Sequence, residues 1–385
     1  MHILEVHNRY QIRGGEDECF EAEVSLLRQK GHTVELFEET NDRVEQLGKL
    51  RTMVRTLWSN EAYQTARRML EVQRYDIVHV QNFFPLISPS IYYAAKDKGV
   101  PVVQTLHNYR LLCPNAQFFR EGRPCEDCLG KPIPLPGIIH ACYRDNRAAS
   151  GVTAAMLTLH RLLKTWSDTV DCYIALTEFA REKFIQGGLP AEKIVVKPNF
   201  VTDPGMGSGS GGYALFVGRL SAEKGIELLL RSWQTIGKTM PLKIVGDGPL
   251  SPQVAEAAEM IPGVEWLGRR SLSEVYHLMG EAAFLVFPSL WYEGLPRTII
   301  EAFATGTPVV AANLGAMSRL ITAGETGLHF SAGSEESLVA QVEWAATHPE
   351  ALAEMRQQAR IEYKEKYTAE ANYEQLMQIY SSLNG

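Results

Sequence analysis

Residues 288–313, P-S-L-W-Y-E-G-L-P-R-T-I-I-E-A-F-A-T-G-T-P-V-V-A-A-N, decide the fold. The apolar run before them, F-L-V-F at 284–287, suits a buried parallel strand that Pro288 and Ser289 end. A loop and a helix follow. Pro296, with its fixed φ, suits a first helical position. Residues 298–305 carry the helix until Gly306 and Pro308 stop it, and 309–312 is the next strand. In such a unit the backbone N–H groups of Gly294, Leu295 and Arg297 point out of the carboxyl end of the sheet, where anions collect. Glu293 in the loop and Glu301 in the helix frame that point, and a carboxylate can accept two hydroxyl hydrogen bonds from a sugar or a ribose. The plainer alternative makes Glu293 a first-turn acid complementing the helix dipole and Glu301 a solvated helix residue.

The E-x7-E pair embedded in P-S-x-W-Y-E-G-x-P-x-x-x-x-E-A-x-A-x-G-T-P-V-V-A resembles the signature of the family 4 retaining glycosyltransferases. That resemblance implies an α/β chain with the GT-B fold, two Rossmann-like doubly wound domains facing a central cleft. It extends more weakly over nearly the whole sequence.

Composition agrees with such a class. The chain has 385 residues, 45% of them hydrophobic, enough for two domains with full cores. A net charge of −7 and a pI near 5.9 argue against a nucleic-acid binder. Met1 leads straight into the strand-like H-I-L-E-V, with no signal-peptide pattern and no apolar run of the ~18 residues that span a bilayer. The expectation is a cytoplasmic protein, or one peripheral on the inner face of the membrane.

In chain order, 2–6 reads as a first strand, followed by H-N-R-Y-Q-I-R-G-G and a helix from about Glu16. Gly14 and Gly15 are either a simple loop pair or a place where backbone approaches a phosphate. By resemblance they contact the donor diphosphate. Residues 41–74 read as mostly helical and basic, with Leu47, Leu50, Met53, Val54, Leu57 and Trp58 among the cations. Such a segment either lies on an anionic membrane or packs its apolar stripe into the core. Strands at 77–80 and 102–105 come next, and His107 stands at a carboxyl strand end, where the resemblance puts a histidine beside the donor sugar.

Residues 108–146 form an aperiodic insert that most members of the family lack, carrying Cys113, Cys125, Cys128 and Cys142 as C-x11-C-x2-C-x13-C. A structural four-thiolate zinc site, four reduced thiols, and an iron–sulfur cluster or disulfides are the alternatives, with His140 able to replace one ligand. The insert's position suggests that it shapes the acceptor pocket. Cys19 and Cys172 read as core residues. A helix over 150–165, a strand at 172–176, a helix over 177–186 and a strand at 194–196 close the first half. Residues 198–212, P-N-F-V-T-D-P-G-M-G-S-G-S-G-G, read as a flexible linker. The domains expected are 1–200, acceptor-binding, then 201–367, nucleotide-sugar-binding, and finally a helix at 368–385 crossing back.

After a strand at 213–217 comes G-R-L-S-A-E-K-G, which the resemblance makes the diphosphate clamp, with Gly218, Arg219 and Lys224. In isolation the two cations read as surface charges. Strands at 242–245 and 264–267 follow. Gly268 to Arg270, with Arg269 among them, lie where the family holds the base, and Asp247 in G-D-G-P reads as a turn former. The expected activity is retaining transfer of a hexose from a nucleotide diphosphate sugar, a UDP-sugar ahead of a GDP-sugar. The acceptor is a hydroxyl of a sugar or lipid-linked glycan, as in surface polysaccharide or glycolipid synthesis. Arg219, Lys224 and the helix N-terminus would stabilise the leaving diphosphate without a catalytic metal, and no D-x-D motif is present. His107 and Glu293 complete the catalytic set, with Glu301 on the ribose. Alternatives are a GT-B enzyme with a small-molecule acceptor and a non-catalytic nucleotide-sugar or zinc-binding interaction protein.

Overall fold

A computed structural model describes residues 1–384. The chain divides into two compact units, one of 1–118, 125–199 and 372–385, the other of 119–124 and 200–371.

The first unit is built on β1 (His2–Arg9), α1 (Gly15–Gln29), β2 (Thr33–Thr40), α2 (Arg43–Leu57), α3 (Asn60–Val72), β3 (Ile77–Asn82), α4 (Ser90–Asp97) and β4 (Val102–Leu106). The insert contributes β5 (Phe119–Arg120) and β6 (Arg123–Pro124), a two-stranded hairpin that groups with the second unit. It then gives α5 (Leu135–Ile139), so the aperiodic stretch is a chain of turns with short elements. The first unit continues with α6 (Arg147–Leu162), α7 (Thr165–Asp168), β7 (Cys172–Ala175), α8 (Glu178–Gln186) and β8 (Ile194–Val196). Its six strands lie in the order β2-β1-β3-β4-β7-β8, all parallel. The sheet is covered on both faces, and β3 and β4 are buried at every position.

The second unit repeats the alternation with β9 (Ala214–Val217), α9 (Ile226–Ile236), β10 (Leu242–Val245), α10 (Ser251–Met260), β11 (Val264–Gly268), α11 (Leu272–Glu281), β12 (Phe284–Phe287), α12 (Arg297–Ala304), β13 (Val309–Ala312), α13 (Met317–Leu320) and β14 (Gly327–Phe330). The order is β11-β10-β9-β12-β13-β14, again parallel. In each sheet the order reverses beside the first strand, and the carboxyl ends at such a switch point are where ligands bind. Helices α14 (Glu335–Thr347) and α15 (Pro349–Lys366) complete the unit. Helix α16 (Ala369–Leu383) then buries Leu376 and Tyr380 in the first unit's core with Ile3, Val103 and Ile174.

Three expectations change. The segment 41–74 is helical as α2, kinked at Gly48 (φ 73, ψ 164), and α3, which buries Ala62, Ala66 and Leu70, but the apolar residues of α2 do not form a core stripe. Leu50 is 75% exposed and Val54 58%, while Arg55 and Thr56 are buried. The glycine-rich stretch is no free linker. Gly207, Gly209 and Gly211 donate their N–H groups to the carbonyls of Thr305, Gly280 and Glu281, and a Cβ on Gly207 would sit 2.2 Å from Gly280 Cα. These glycines serve close packing. Pro296 is the residue before α12 rather than its first helical one.

Candidate functional site

In the second unit the loop after β12 centres on Glu293, which is buried. Lys224 Nζ, Ser289 Oγ and Trp291 Nε1 each donate to Glu293 Oε1 at 2.7 Å. Lys224 also lies 5.6 Å from the Phe287 ring centre and 5.5 Å from that of Trp291, held by cation–π attraction as well as by the ion pair. The carboxylate is therefore fixed in one rotamer, outside any helix, and the first-turn-acid alternative fails. Glu301 is also buried and pairs with Arg297, one turn before it, at 3.0 Å, so it is not a solvated helix residue.

The turn that presents Lys224 is forced by geometry. Gly225 has φ +75, and a Cβ there would lie 2.0 Å from the Pro288 carbonyl. The same is true beneath Gly218, where a Cβ on Gly246 would meet the Gly218 carbonyl at 1.9 Å. Arg219 is exposed on that turn. Asp247 accepts from Gly248 N–H at 2.8 Å and from Ser251 Oγ at 2.5 Å, so it shapes its own turn. Arg269 is exposed, 3.5 Å from Asp247.

In the first unit Gly14 precedes α1, its N–H on Asp17 Oδ2 at 3.0 Å. Neither Gly14 nor Gly15 has a left-handed φ, and a Cβ on either would meet nothing within 4 Å. The fold itself does not demand glycine there. His107 sits at the end of β4, half-buried, and its state follows from a hydrogen-bonded chain that sequence reading did not find. Gln81 Nε2 donates to Glu23 at 2.7 Å and Glu5 at 3.3 Å, so its amide oxygen faces His107 Nε2 at 2.8 Å. His107 Nε2 must carry the proton, which makes Nδ1 the acceptor. Burial, reinforced by His7, pushes the His107 pKa down to about 3.

Beneath it lies a closed ionic cluster. Lys197 Nζ bonds Glu23 at 2.8 Å, and His79 Nδ1 lies 3.2 Å from Glu5 and 3.4 Å from Glu23. His79 also bonds Tyr380 and Thr105 at 2.7 Å. Against the cost of burial, Lys197 and His79 hold Glu23 well below the usual carboxylate range, and Glu5 and Glu23 raise His79. Glu5, Glu23 and His79 bring ligand atoms within 4.8 Å of one another. Lys197 pairs with Glu23, and His79 bridges the two carboxylates, so the cluster ties β1, α1, β3 and the chain after β8 together. Polar residues inside β1 and β3, at Glu5, His79 and Gln81, were the available signal. Glu16, at the start of α1, was another omission: its Oε2 is held by Tyr10 and Asn108 at 3.1 Å, its Oε1 is buried without a hydrogen bond, and burial raises its pKa to about 7.

Of the four insert cysteines, Cys113 and Cys128 are buried and Cys125 and Cys142 half-buried. Burial, with the thiols of Cys113, Cys142 and Cys125 nearby, pushes Cys128 up to about 12. Cys142 N–H bonds the Gly137 carbonyl at 2.9 Å, and Gly137 packs so tightly on Pro114 that a Cβ would lie 2.7 Å away.

Residues 23–203 match the Glycosyltransferase Family 4 model, and 211–348 match that of Glycosyl transferases group 1. A structure of Anabaena HepE with UDP-glucose superposes with a TM-score of 0.69, covering 99% of this chain and all of that one at 19% identity. This is the GT-B fold. Among curated relatives, the D-rhamnosyltransferase WbpZ of Pseudomonas aeruginosa is 31% identical over 161 residues, 41% of this chain and 42% of the relative. The phosphatidyl-myo-inositol mannosyltransferase of Mycobacterium leprae is 25% identical over 236 residues, 58% of this chain and 62% of the relative. The chain spans about half the length of the curated relatives it matches. Among the described residues no helix is long and apolar enough to cross a membrane.

Proposed function

We propose that this GT-B protein is a retaining glycosyltransferase that transfers a hexose from a nucleotide diphosphate sugar to an acceptor hydroxyl in surface polysaccharide or glycolipid synthesis. The observation that carries this reading is the convergence of Lys224, Ser289 and Trp291 on buried Glu293 at the carboxyl end of β12. A carboxylate so fixed is pre-organised for sugar hydroxyls, with the cation beside it for phosphate. Glu301 takes the ribose hydroxyls and Arg269 lies by the base. Gly218, Arg219, Lys224 and the backbone at Gly294 and Leu295 hold the diphosphate, whose charge grows as the glycosidic bond breaks. One such donor is often worth about 10² to 10³ in rate, which leaves no step that needs a catalytic metal. In the first unit His107 contributes its Nδ1 acceptor to sugar recognition, and Gly14 and Gly15 leave room for a phosphate.

A UDP-sugar is the donor we favour, because the HepE neighbour is solved with UDP-glucose. The acceptor class, a sugar or lipid-linked glycan, is supported by the mannosyltransferase relative's name. Peripheral contact with the inner face of a membrane is supported by the exposed apolar residues of α2. A structural zinc on Cys113, Cys125, Cys128 and Cys142 is supported by the nearness of the other three cysteines to Cys128 in the insert. Two equivalents of thiol titrating per chain rather than six, with one zinc per chain, would bear this out.

The test is donor turnover by purified protein. Uridine nucleotides should raise the melting temperature selectively. Donor consumption should be lost in Glu293→Ala and Arg219→Ala, persist in chelator, and give product with the donor's anomeric configuration. Full activity in both variants would overturn the site assignment.

A further inference from the structure

In the first unit a crevice of about 20 Å³ opens at the carboxyl ends of β3 and β4, lined by Tyr10, Gln81, His107, Asn108 and Arg110 among others. That is room for one hydroxyl group or one water among polar side chains. Two proton-accepting groups are connected to it. His107 lines it directly, but burial holds its pKa down at about 3, so the ring accepts hydrogen bonds yet is too weakly basic to take a hydroxyl proton. Glu16 is connected to it through Tyr10.

The Tyr10 hydroxyl donates to Glu16 Oε2 at 3.1 Å. Asn108 Nδ2 donates to the same oxygen at 3.1 Å and to the Tyr10 oxygen at 3.4 Å, so the three side chains form one connected set. Glu16 Oε1 is buried without a hydrogen bond. The charged and titratable groups about this set are His7 in β1, Asp17 in α1 and Arg110 in the insert, the last acting on Tyr10. His7 Nε2 bonds Asp17 Oδ1 at 2.9 Å, and its Nδ1 is buried without a hydrogen bond. Burial raises Glu16 to about 7, against the pull of His7, Asn108 and Tyr10. Of two groups whose pKa values are driven apart in this way, the one that titrates near neutrality is suited to proton transfer. The fold itself does not ask for a carboxyl. A glutamine oxygen would accept from Tyr10 and Asn108 equally well, and would spare the fold the destabilisation that a raised carboxyl pKa brings at neutral pH. What the carboxyl adds is a place for a proton.

We propose that Tyr10 and Glu16 deprotonate the acceptor hydroxyl, Tyr10 touching the substrate and Glu16 receiving the proton behind it. As the acceptor oxygen bonds to the anomeric carbon, its proton passes to the Tyr10 oxygen and the Tyr10 proton to Glu16 Oε2. The electron pair of the breaking glycosidic bond leaves on the diphosphate, and Glu16 then gives the proton to solvent. Arg110, at the same crevice, offers a cation to the oxygen that is losing its proton. The reaction rests on the glycosyltransferase reading, whereas the titration of Glu16 does not.

The test has two readouts on the full chain. The infrared carbonyl band of a protonated carboxyl should titrate with a midpoint near 7 in the ligand-free protein, persist in Tyr10→Phe and vanish in Glu16→Gln. UDP release from UDP-glucose, with water in the acceptor's place, should rise about tenfold per pH unit below that midpoint and level off above it. Glu16→Gln should lower the plateau about 10²-fold and abolish the pH limb, and Tyr10→Phe should lower the plateau by a similar factor. Glu16→Asp, which keeps a carboxyl, should keep a limb and recover part of the rate. UDP should raise the melting temperature of every variant as it does that of the wild type, which separates lost proton transfer from a damaged fold. A limb that survives in Glu16→Gln, a titrating band that Glu16→Gln leaves in place, or wild-type rates in both the Gln and Phe variants would overturn the proposal. Wild-type protein that neither releases UDP nor is stabilised by it would overturn the glycosyltransferase reading, and this role with it, even with the band present.

Discussion

Glu293 and Glu16 show how differently two carboxyls are used. Glu293 is held by an ammonium, a hydroxyl and an indole on one oxygen, so its side chain is fixed before any ligand arrives. Glu293→Gln preserves the shape, removes the partner of Lys224, and should lower donor turnover by about 10²-fold or more, measured as kcat on the purified variant. Glu16 has two donors on Oε2 and none on a buried Oε1, and its pKa rises from 4.5 to about 7. The unfolded chain releases that proton near pH 4.5 and the folded one near pH 7. Folding is therefore progressively disfavoured between those values and by a constant amount above, at most ~3 kcal/mol. Glu16→Gln should raise the melting temperature more at pH 8 than at pH 4, and an equal gain at both would refute the assignment.

At the scale of elements, most strands could be read directly. The runs at 284–287, 309–312, 242–245 and 194–196 are strands with the bounds their flanking Gly, Pro and charged residues suggest. Strand β14 escaped because Gly327, His329 and its length of four leave no apolar run to see. The hairpin β5–β6 escaped because its strands are two residues each. The glycines of 205–212 misled because composition does not distinguish chain freedom from close approach. The position of the E-x7-E loop between β12 and α12 was legible from the apolar run before it and the Gly306 and Pro308 stop after it. The support under His107 was not, since Gln81, Glu23 and Lys197 are brought together only by the sheet. At Gly225 both the left-handed φ and the 2.0 Å approach to Pro288 exclude a side chain. Gly225→Ala should displace Lys224 from Glu293 and abolish nucleotide stabilisation, while melting remains cooperative. In α16, Leu376→Ala should cost the first unit ~2–5 kcal/mol by the cavity left in its core, read from urea unfolding.

Across the whole molecule, buried titratable groups set how the protein responds to acid. His107 stays neutral in the fold down to about pH 3, whereas an unfolded histidine takes a proton near 6.5. Stability therefore falls as pH drops from 6.5 toward 3. Glu23, held well below its ordinary value, contributes stability that is complete above pH 4.5 and is lost as pH falls below it. The raised His79 works in the other direction, stabilising at low pH and releasing that contribution as pH rises through its folded value. His107→Gln should reduce the fall in melting temperature between pH 6.5 and 5, the remainder coming from His160 and His32, which burial also lowers. The return of α16 to the first unit has a consequence for biogenesis. Residues 200–371 form almost all of the second unit and contain its core, so they can fold as they leave the ribosome. The first unit, although translated earlier, lacks Leu376 and Tyr380 until residues 372–384 emerge. During synthesis its sheet waits, with an unfilled face, for a helix translated only after the whole second unit.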